Sequence, residues 1–371
     1  MRYFDYTATT PIDKEVLETY IKVQNSYFAN TSSLHSLGQK SNALFEQASA
    51  EIKDLFGLKQ HNIVYTSNAT EANNLAIYGI VEKHIRGKLI TTKIEHPSVF
   101  EVFKNLERKG YDVVYLDVDE KGIIDIKQLQ REIDKNTILV SIMWVNNIVG
   151  SIQPIKEIIK IVSGYPKTKL HVDAVQGIGK INPDFNFKDI DLFTISAHKI
   201  YGPKGIGALI YNQNIDLYKR LYGSSAQYGV KPGTIDLALV VSLCKALKKY
   251  LPLTEEHYQY VLSLNRRFRS KLENQEGIIF NSCLKASPYI INLSLPHING
   301  ETIVHILEEK EIYLSTGSAC SSKLKKPEKT IYNMTKSELL ATTTIRIGLS
   351  HLLSQTDIDD LAQEIGEIAN V

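Results

Sequence analysis

From about residue 60 to residue 212, short apolar runs alternate with stretches of helical period, and this rhythm limits the possible folds more tightly than any other feature of the chain. The runs are NIVYT (62–66), KLITTKI (88–94), DVVYLDV (112–118), TILVSIMWV (137–145), TKLHVDA (168–174) and DLFTISA (191–197), with ATEANNLAIYGIVEKH, PSVFEVFKNLERKG, QLQREID and PIKEIIKIV between them. Runs this rich in β-branched residues are strands covered on both faces, and strand–helix alternation sets them side by side in a largely parallel sheet. YGPKGIGALI (201–210) resumes a strand, the chain turns helical after residue 235, and PYIINLSL (288–295) starts a second sheet. At 371 residues the chain exceeds the size at which one core stops growing. The expectation is a large domain over 15–255 and a smaller α+β domain made by 1–14 with 256–371.

Charge and cysteine usage narrow the function. Forty-three Lys and Arg stand against 41 Asp and Glu, a formal net charge of +2. That is too even for the basic stripe of a nucleic-acid binder, so no such partner is expected. No segment approaches the roughly 20 continuous apolar residues of a membrane span. The opening MRYFDYTATTPID lacks the apolar core and cleavage site of a secretion signal, which points to the cytoplasm. Cys244, Cys283 and Cys320 are odd in number and lack CxxC spacing, so neither a disulfide framework nor a metal site is expected.

In open α/β sheets ligands gather beyond the carboxyl ends of the strands. Beyond these runs stand Ser67-Asn68-Ala69-Thr70-Glu71, then Glu95-His96, Asn146-Asn147, Asp173-Ala174-Val175-Gln176 and Ser196-Ala197-His198-Lys199. The first set is a helix N-cap pattern whose outward N–H groups suit a phosphate, although taken alone plain capping is the commoner reason for it. Asp173 either caps a turn or holds a cationic partner. Lys199, beside a Gly-rich turn, is either a solvated surface residue or a desolvated amine able to form a Schiff base. Together, an anchoring lysine, an acid for a pyridine nitrogen and donors for a phosphate are the needs of pyridoxal phosphate.

The stretches DYTATTP (5–11), HVDAVQ (171–176), SAHKIYGPKGIGAL (196–209), STGSACSS (315–322) and TTIRIGLS (343–350) then carry a specific likeness. In this order over nearly the whole chain, they resemble the cysteine desulfurases, pyridoxal-phosphate enzymes of the class V aminotransferase group, in the form associated with iron–sulfur cluster assembly and tRNA thiolation. The resemblance implies an α/β, fold-type I transferase that takes L-cysteine to L-alanine and carries the sulfur as a persulfide on Cys320 to an acceptor protein. It further implies that Lys199 anchors the cofactor and moves protons at the substrate α-carbon, while Asp173 keeps the pyridine nitrogen protonated. Gln176 would meet the ring's phenolic oxygen, and His96 would stack on the ring. Ala69, Thr70, Ser196 and His198 would hold the phosphate, with Thr234 of a second subunit completing the cup, hence a homodimer. Arg346 would take the substrate carboxylate, helped by Asn147.

Other readings stay beside these. A selenocysteine lyase, a class V transaminase or a non-catalytic sulfur scaffold would share most of the motifs. Cys244, Cys283 and Trp144 read as packing, while His35 and Tyr6–Thr10 match family positions near the active site and read equally as turn or helix-entry residues. Lys323, Lys325, Lys326 and Lys329 read as a solvated basic face or as a steering patch for an acidic acceptor. Asn68, Ala197, Ile148, Thr31 and Lys231-Pro232 depart from the family pattern; at Asn68, where glycine is usual, tolerance of left-handed backbone angles is expected to preserve the cup.

Overall fold

The structure, a computed structural model, describes residues 1–317 and 327–370. Seven strands form the main sheet, in the spatial order His61–Thr66, Gly207–Asn212, Leu192–Ser196, Lys169–Asp173, Thr137–Met143, Lys88–Thr92, Asp112–Leu116. Every neighbouring pair is parallel except those of Gly207–Asn212, which runs antiparallel to both partners. The sheet is therefore mixed but mostly parallel, with helices on both faces.

Period-two alternation makes this sheet double-sided. Val140, Ala208 and Ile210 face a core containing Trp144, Phe185, Phe187 and Phe193, while their neighbours Leu139 and Leu209 face another with Val99, Phe103 and Leu106. Trp144 is 1% exposed and lies edge-on to Phe185, centroids 5.0 Å apart. Its ring occupies the space of a side chain at Gly177, where a Cβ would stand 2.1 Å from a ring carbon. Close approach also explains Gly207: a Cβ there would fall 2.8 Å from the Ile195 carbonyl oxygen and 3.1 Å from the Ala69 amide nitrogen. Glycine thus lets the antiparallel strand slide under the start of the helix Ala69–Val81.

A separate core gathers Phe4 and Tyr6 with residues from Val261 to Ile368. It covers an antiparallel sheet of Thr344–Gly348, Ile290–Ser294 and Ile279–Phe280, backed by the helices Thr254–Leu272 and Gln355–Ala369. The N-terminal Arg2–Tyr3 pairs parallel with Ile312–Tyr313. The chain then crosses to the main sheet, where the Thr10 amide donates to the His198 carbonyl at 2.9 Å. That crossing lays residues 5–10 over the carboxyl ends of the strands. Among the described residues no helix is long and apolar enough to cross a membrane.

Candidate active site

Strand ends and the N-terminal crossing enclose a cavity of about 240 Å³. Lys199, Asp173, Gln176, His96 and Arg346 line it, as do Ala69, Thr70, Asn147 and His198. Ser196 is not in the wall; it is 3% exposed, and its hydroxyl has no hydrogen-bond partner among the described residues. Thr234 is exposed and lies outside its own chain's cavity. Cys320 lies outside the described residues, as do Lys323, Lys325 and Lys326.

Lys199 ends the single turn that follows the strand Leu192–Ser196. The loop beyond it is stiff: Tyr201 holds a left-handed φ of 61°, its amide donates to the Thr10 hydroxyl at 2.8 Å, and its own hydroxyl meets Ser350 Oγ at 2.7 Å. A non-glycine residue in that region costs roughly 1–2 kcal/mol, which these contacts offset. Lys199 Nζ donates to the carbonyls of Thr7 and Ala8 at 2.7 and 2.6 Å. Among the described residues no carboxylate reaches ion-pair distance of it. Burial, reinforced by the Arg346 charge, pushes its pKa down to about 7, with Asp5 and Asp173 opposing. The result is an amine available as a nucleophile near neutral pH.

Asp173 Oδ2 accepts from Asn73 Nδ2 at 2.8 Å, and Oδ1 from the Val175 amide at 3.1 Å. Asn73, fully buried in the helix Ala69–Val81, also donates to Ser98 Oγ at 2.9 Å. Ser98 in turn fixes His96: its amide donates to His96 Nδ1 at 3.1 Å and its hydroxyl lies 2.8 Å away. With Nδ1 accepting, the ring proton is on Nε2. Burial holds His96 below the ordinary histidine range, Asp173 opposing, and burial likewise brings His198 down to about 4. Both imidazoles are neutral at neutral pH.

Ala69 and Thr70 open a helix of 13 residues, so their amides have no carbonyl one turn earlier and face the cavity wall. The expectation for Asn68 is corrected: its backbone is extended (φ −171°), not left-handed, and its side chain caps the Glu71 amide at 2.9 Å. Asparagine here serves as an N-cap, a role that requires no positive φ. Lys231, one of the departures, pairs with Glu71 at 3.4 Å.

Arg346 is 3% exposed, with Nη2 donating to Asp5 Oδ1 at 3.0 Å and to Ser315 Oγ at 2.9 Å. Nη1 donates to the Asn147 carbonyl at 3.0 Å, so Asn147 acts on it through the backbone. Nε is buried and has no partner among the described residues, leaving donor capacity for an incoming carboxylate.

The basic-face reading fails for Lys329. It is half-buried, with Nζ 3.3 Å from the Phe100 ring centre and donating to the Glu95 carbonyl at 3.1 Å, because the neighbouring aromatic face and carbonyl replace water around the charge. His35 caps its helix by accepting from the Gly38 amide. The Tyr6–Thr10 stretch does more than turn, since Thr7 and Ala8 supply the carbonyls on Lys199. Sequence reasoning passed over Asp5, Asn73 and Ser98. Asp5 sat inside a quoted motif, whereas the only local sign of Asn73 is a polar residue on the buried side of an apolar helix.

These donors fit pyridoxal phosphate on structural grounds: an amine held, among the described residues, by carbonyls alone, a buried carboxylate lining the same cavity, and a Ser196 hydroxyl without a partner among those residues, opposite Gly207 at the start of the helix Ala69–Val81. Comparison with known proteins agrees. The aminotransferase class-V family model matches residues 2–361. A NifS/IcsS protein homolog of Lactobacillus delbrueckii subsp. bulgaricus is 38% identical, over 99% of this chain and 97% of its own. The mitosomal cysteine desulfurase of Trachipleistophora hominis is 36% identical, over 98% and 84%. Among solved structures, a NifS-like protein superposes with a TM-score of 0.92 at 32% identity over the full length of both chains. SspA in complex with cysteine gives 0.82 at 32% identity, over 94% of this chain and 99% of the other.

Proposed function

The chain belongs to the aminotransferase class-V family, and from that premise we propose that it is a pyridoxal-phosphate-dependent cysteine desulfurase. The observation that carries the reading is the juxtaposition of Lys199, an amine without an acid partner among the described residues, with Asp173 and Arg346 around one cavity. When bound, pyridoxal phosphate supplies an electron sink for the pair left on the substrate α-carbon. Lys199 would anchor it, Asp173 would keep its ring nitrogen protonated, and the first turn at Ala69 and Thr70 with Ser196 and His198 would hold its phosphate.

The remaining chemistry belongs to the chain's own residues. Arg346, held by Asp5, receives the substrate carboxylate through its spare donors, which orients the α-hydrogen. Lys199, readily uncharged near neutral pH, takes that proton and returns one to the product. Neutral His96, with its proton on Nε2, would trade a proton with the substrate thiol. The Cys320 thiolate attacks the substrate sulfur: a sulfur–sulfur bond forms and the carbon–sulfur bond breaks. The carbon left behind takes a proton, so L-cysteine and the Cys320 thiol become L-alanine and a Cys320 persulfide.

Transfer of that sulfur to an acceptor protein, for iron–sulfur clusters or thiolated tRNA, completes the proposal, with the cytoplasm as its setting. A homodimer is part of it. Its support is that Thr234 is exposed and outside its own chain's cavity, as a residue serving a second copy must be, and that Phe28, Leu34 and Tyr222 are 74%, 91% and 87% exposed.

The test is direct. Purified protein loaded with pyridoxal phosphate and given L-cysteine should release alanine and, under a reductant, sulfide. Cys320→Ala should stop this while the yellow cofactor stays bound, and Lys199→Ala should remove the normal visible band. Normal turnover by Cys320→Ala would overturn the reading.

A further inference from the structure

Lys180 has no part in the reaction above, yet it is 6% exposed and lies on the turn that follows the Asp173 strand. Among the described residues no Asp or Glu reaches ion-pair distance of it. Its surroundings are instead cationic or neutral: Lys199 and Arg346 act on it from the loop and from the small sheet, His198 feels its charge, and the Tyr289 ring lies 6.0 Å from its Nζ. Burial, reinforced by the Lys199 and Arg346 charges, brings its pKa down to about 7, so the amine gives up its proton readily, and among the described residues it has one directed contact. Lys180 Nζ donates to Gln176 Oε1 at 2.9 Å.

Gln176 carries the contact onward. Its Nε2 donates to the Thr7 carbonyl at 3.1 Å, the same carbonyl that accepts from Lys199 at 2.7 Å. An amide side chain has one donor end and one acceptor end of nearly equal shape, and its neighbours decide which way it points. Here a flip would set the Gln176 oxygen against the Thr7 oxygen, a repulsive contact whatever the charge of Lys180, and would face N–H groups toward Lys180, repulsive to its ammonium form. Because Gln176 also lines the cavity, the second Nε2 hydrogen is the one left for a bound molecule.

We propose that Lys180 is a positioning residue that locks the Gln176 amide, so that a donor and never an acceptor meets the phenolic oxygen of the cofactor. This rests on the reading of Gln176 as that donor. A donor there favours the deprotonated oxygen and lowers the pH at which the anchored cofactor's visible band titrates.

The experiment is a pH titration of the visible band in cofactor-loaded protein, with thermal melting of each variant. Gln176→Ala should raise the midpoint by about one pH unit, the size of one hydrogen bond to a charged group. Lys180→Met should raise it comparably without lowering the melting temperature, since it removes a buried amine that has no acid partner among the described residues. Lys180→Arg, which keeps the donor, should recover most of the shift. The double variant Lys180→Met, Gln176→Ala should move no further than either single change, because one contact acts through the other. Lys180→Leu, which has no donor, gives the same reading should the Met variant not fold. A shifted Gln176→Ala beside an unshifted Lys180 variant overturns the lock alone. An unshifted Gln176→Ala overturns the Gln176 reading and the lock together.

Discussion

The Lys199 amine sits 2.7 Å from the Thr7 carbonyl oxygen, a contact between residues 192 apart in the chain. It joins the strand-end loop of the main sheet to the segment descending from the other core, and with the Ala8 carbonyl it replaces the acid that a buried lysine ordinarily needs. Carbonyl dipoles stabilise an ammonium less than a carboxylate does, so burial prevails and the amine loses its proton readily. The crossing chain thereby sets both the place and the basicity of the residue that would anchor the cofactor.

This basicity is measurable in the cofactor-free protein. Labelling of Lys199 by an amine-directed reagent, followed by peptide mass spectrometry, should rise through pH 7, well below the ordinary lysine value of 10.5. Because the unfolded chain keeps this proton longer than the folded one, stability should rise with pH from about 7 upward, by as much as about 1.4 kcal/mol per pH unit for this group. Lys199→Met should remove that slope.

Asn73 bridges Asp173 and Ser98 from within a helix. Asn73→Ala leaves Asp173 without its side-chain donor and loosens the support of His96. Losing a buried hydrogen bond to a charged group costs roughly 1.5–3 kcal/mol, so kcat for L-cysteine should fall about 10–100-fold while the fold persists. Circular dichroism beside steady-state alanine release checks both halves.

Asp5 and Arg346 form an ion pair in which the guanidinium is buried and the carboxylate partly exposed. Asp5→Asn keeps the shape but loses the charge that aims the guanidinium, and the expected result is a KM for L-cysteine raised about tenfold, with kcat less affected. An unchanged KM would count against Arg346 as the carboxylate site.

Glu95 is 2% exposed, and burial raises its pKa to about 8, although the Met143 amide and the Thr92 hydroxyl donate to its Oε1. Folded protein therefore holds a neutral carboxyl where the unfolded chain ionises near 4.5. The unfolded state binds fewer protons across this window, so this contribution to stability is fully present below pH 4.5 and is lost as pH rises toward 8. Melting temperatures of Glu95→Gln should depend less on pH between 5 and 8 than those of the wild type.

Much of this was legible in the chain itself. Apolar runs of β-branched residues determined that a two-faced, mostly parallel sheet would form, because only strands covered on both sides bury such runs. Residues placed beyond those runs, such as Asp173, His96 and Lys199, could be read as a site because strand ends in these sheets converge. Asn73, Asp5 and Lys180 could not. Their importance comes from contacts 100, 341 and 4 residues away, to Asp173, Arg346 and Gln176, and even the last depends on a burial that local spacing does not encode. The strand pattern is a property of neighbours in sequence, whereas proton affinity and amide orientation are set by desolvation and by partners that only the packed chain brings together.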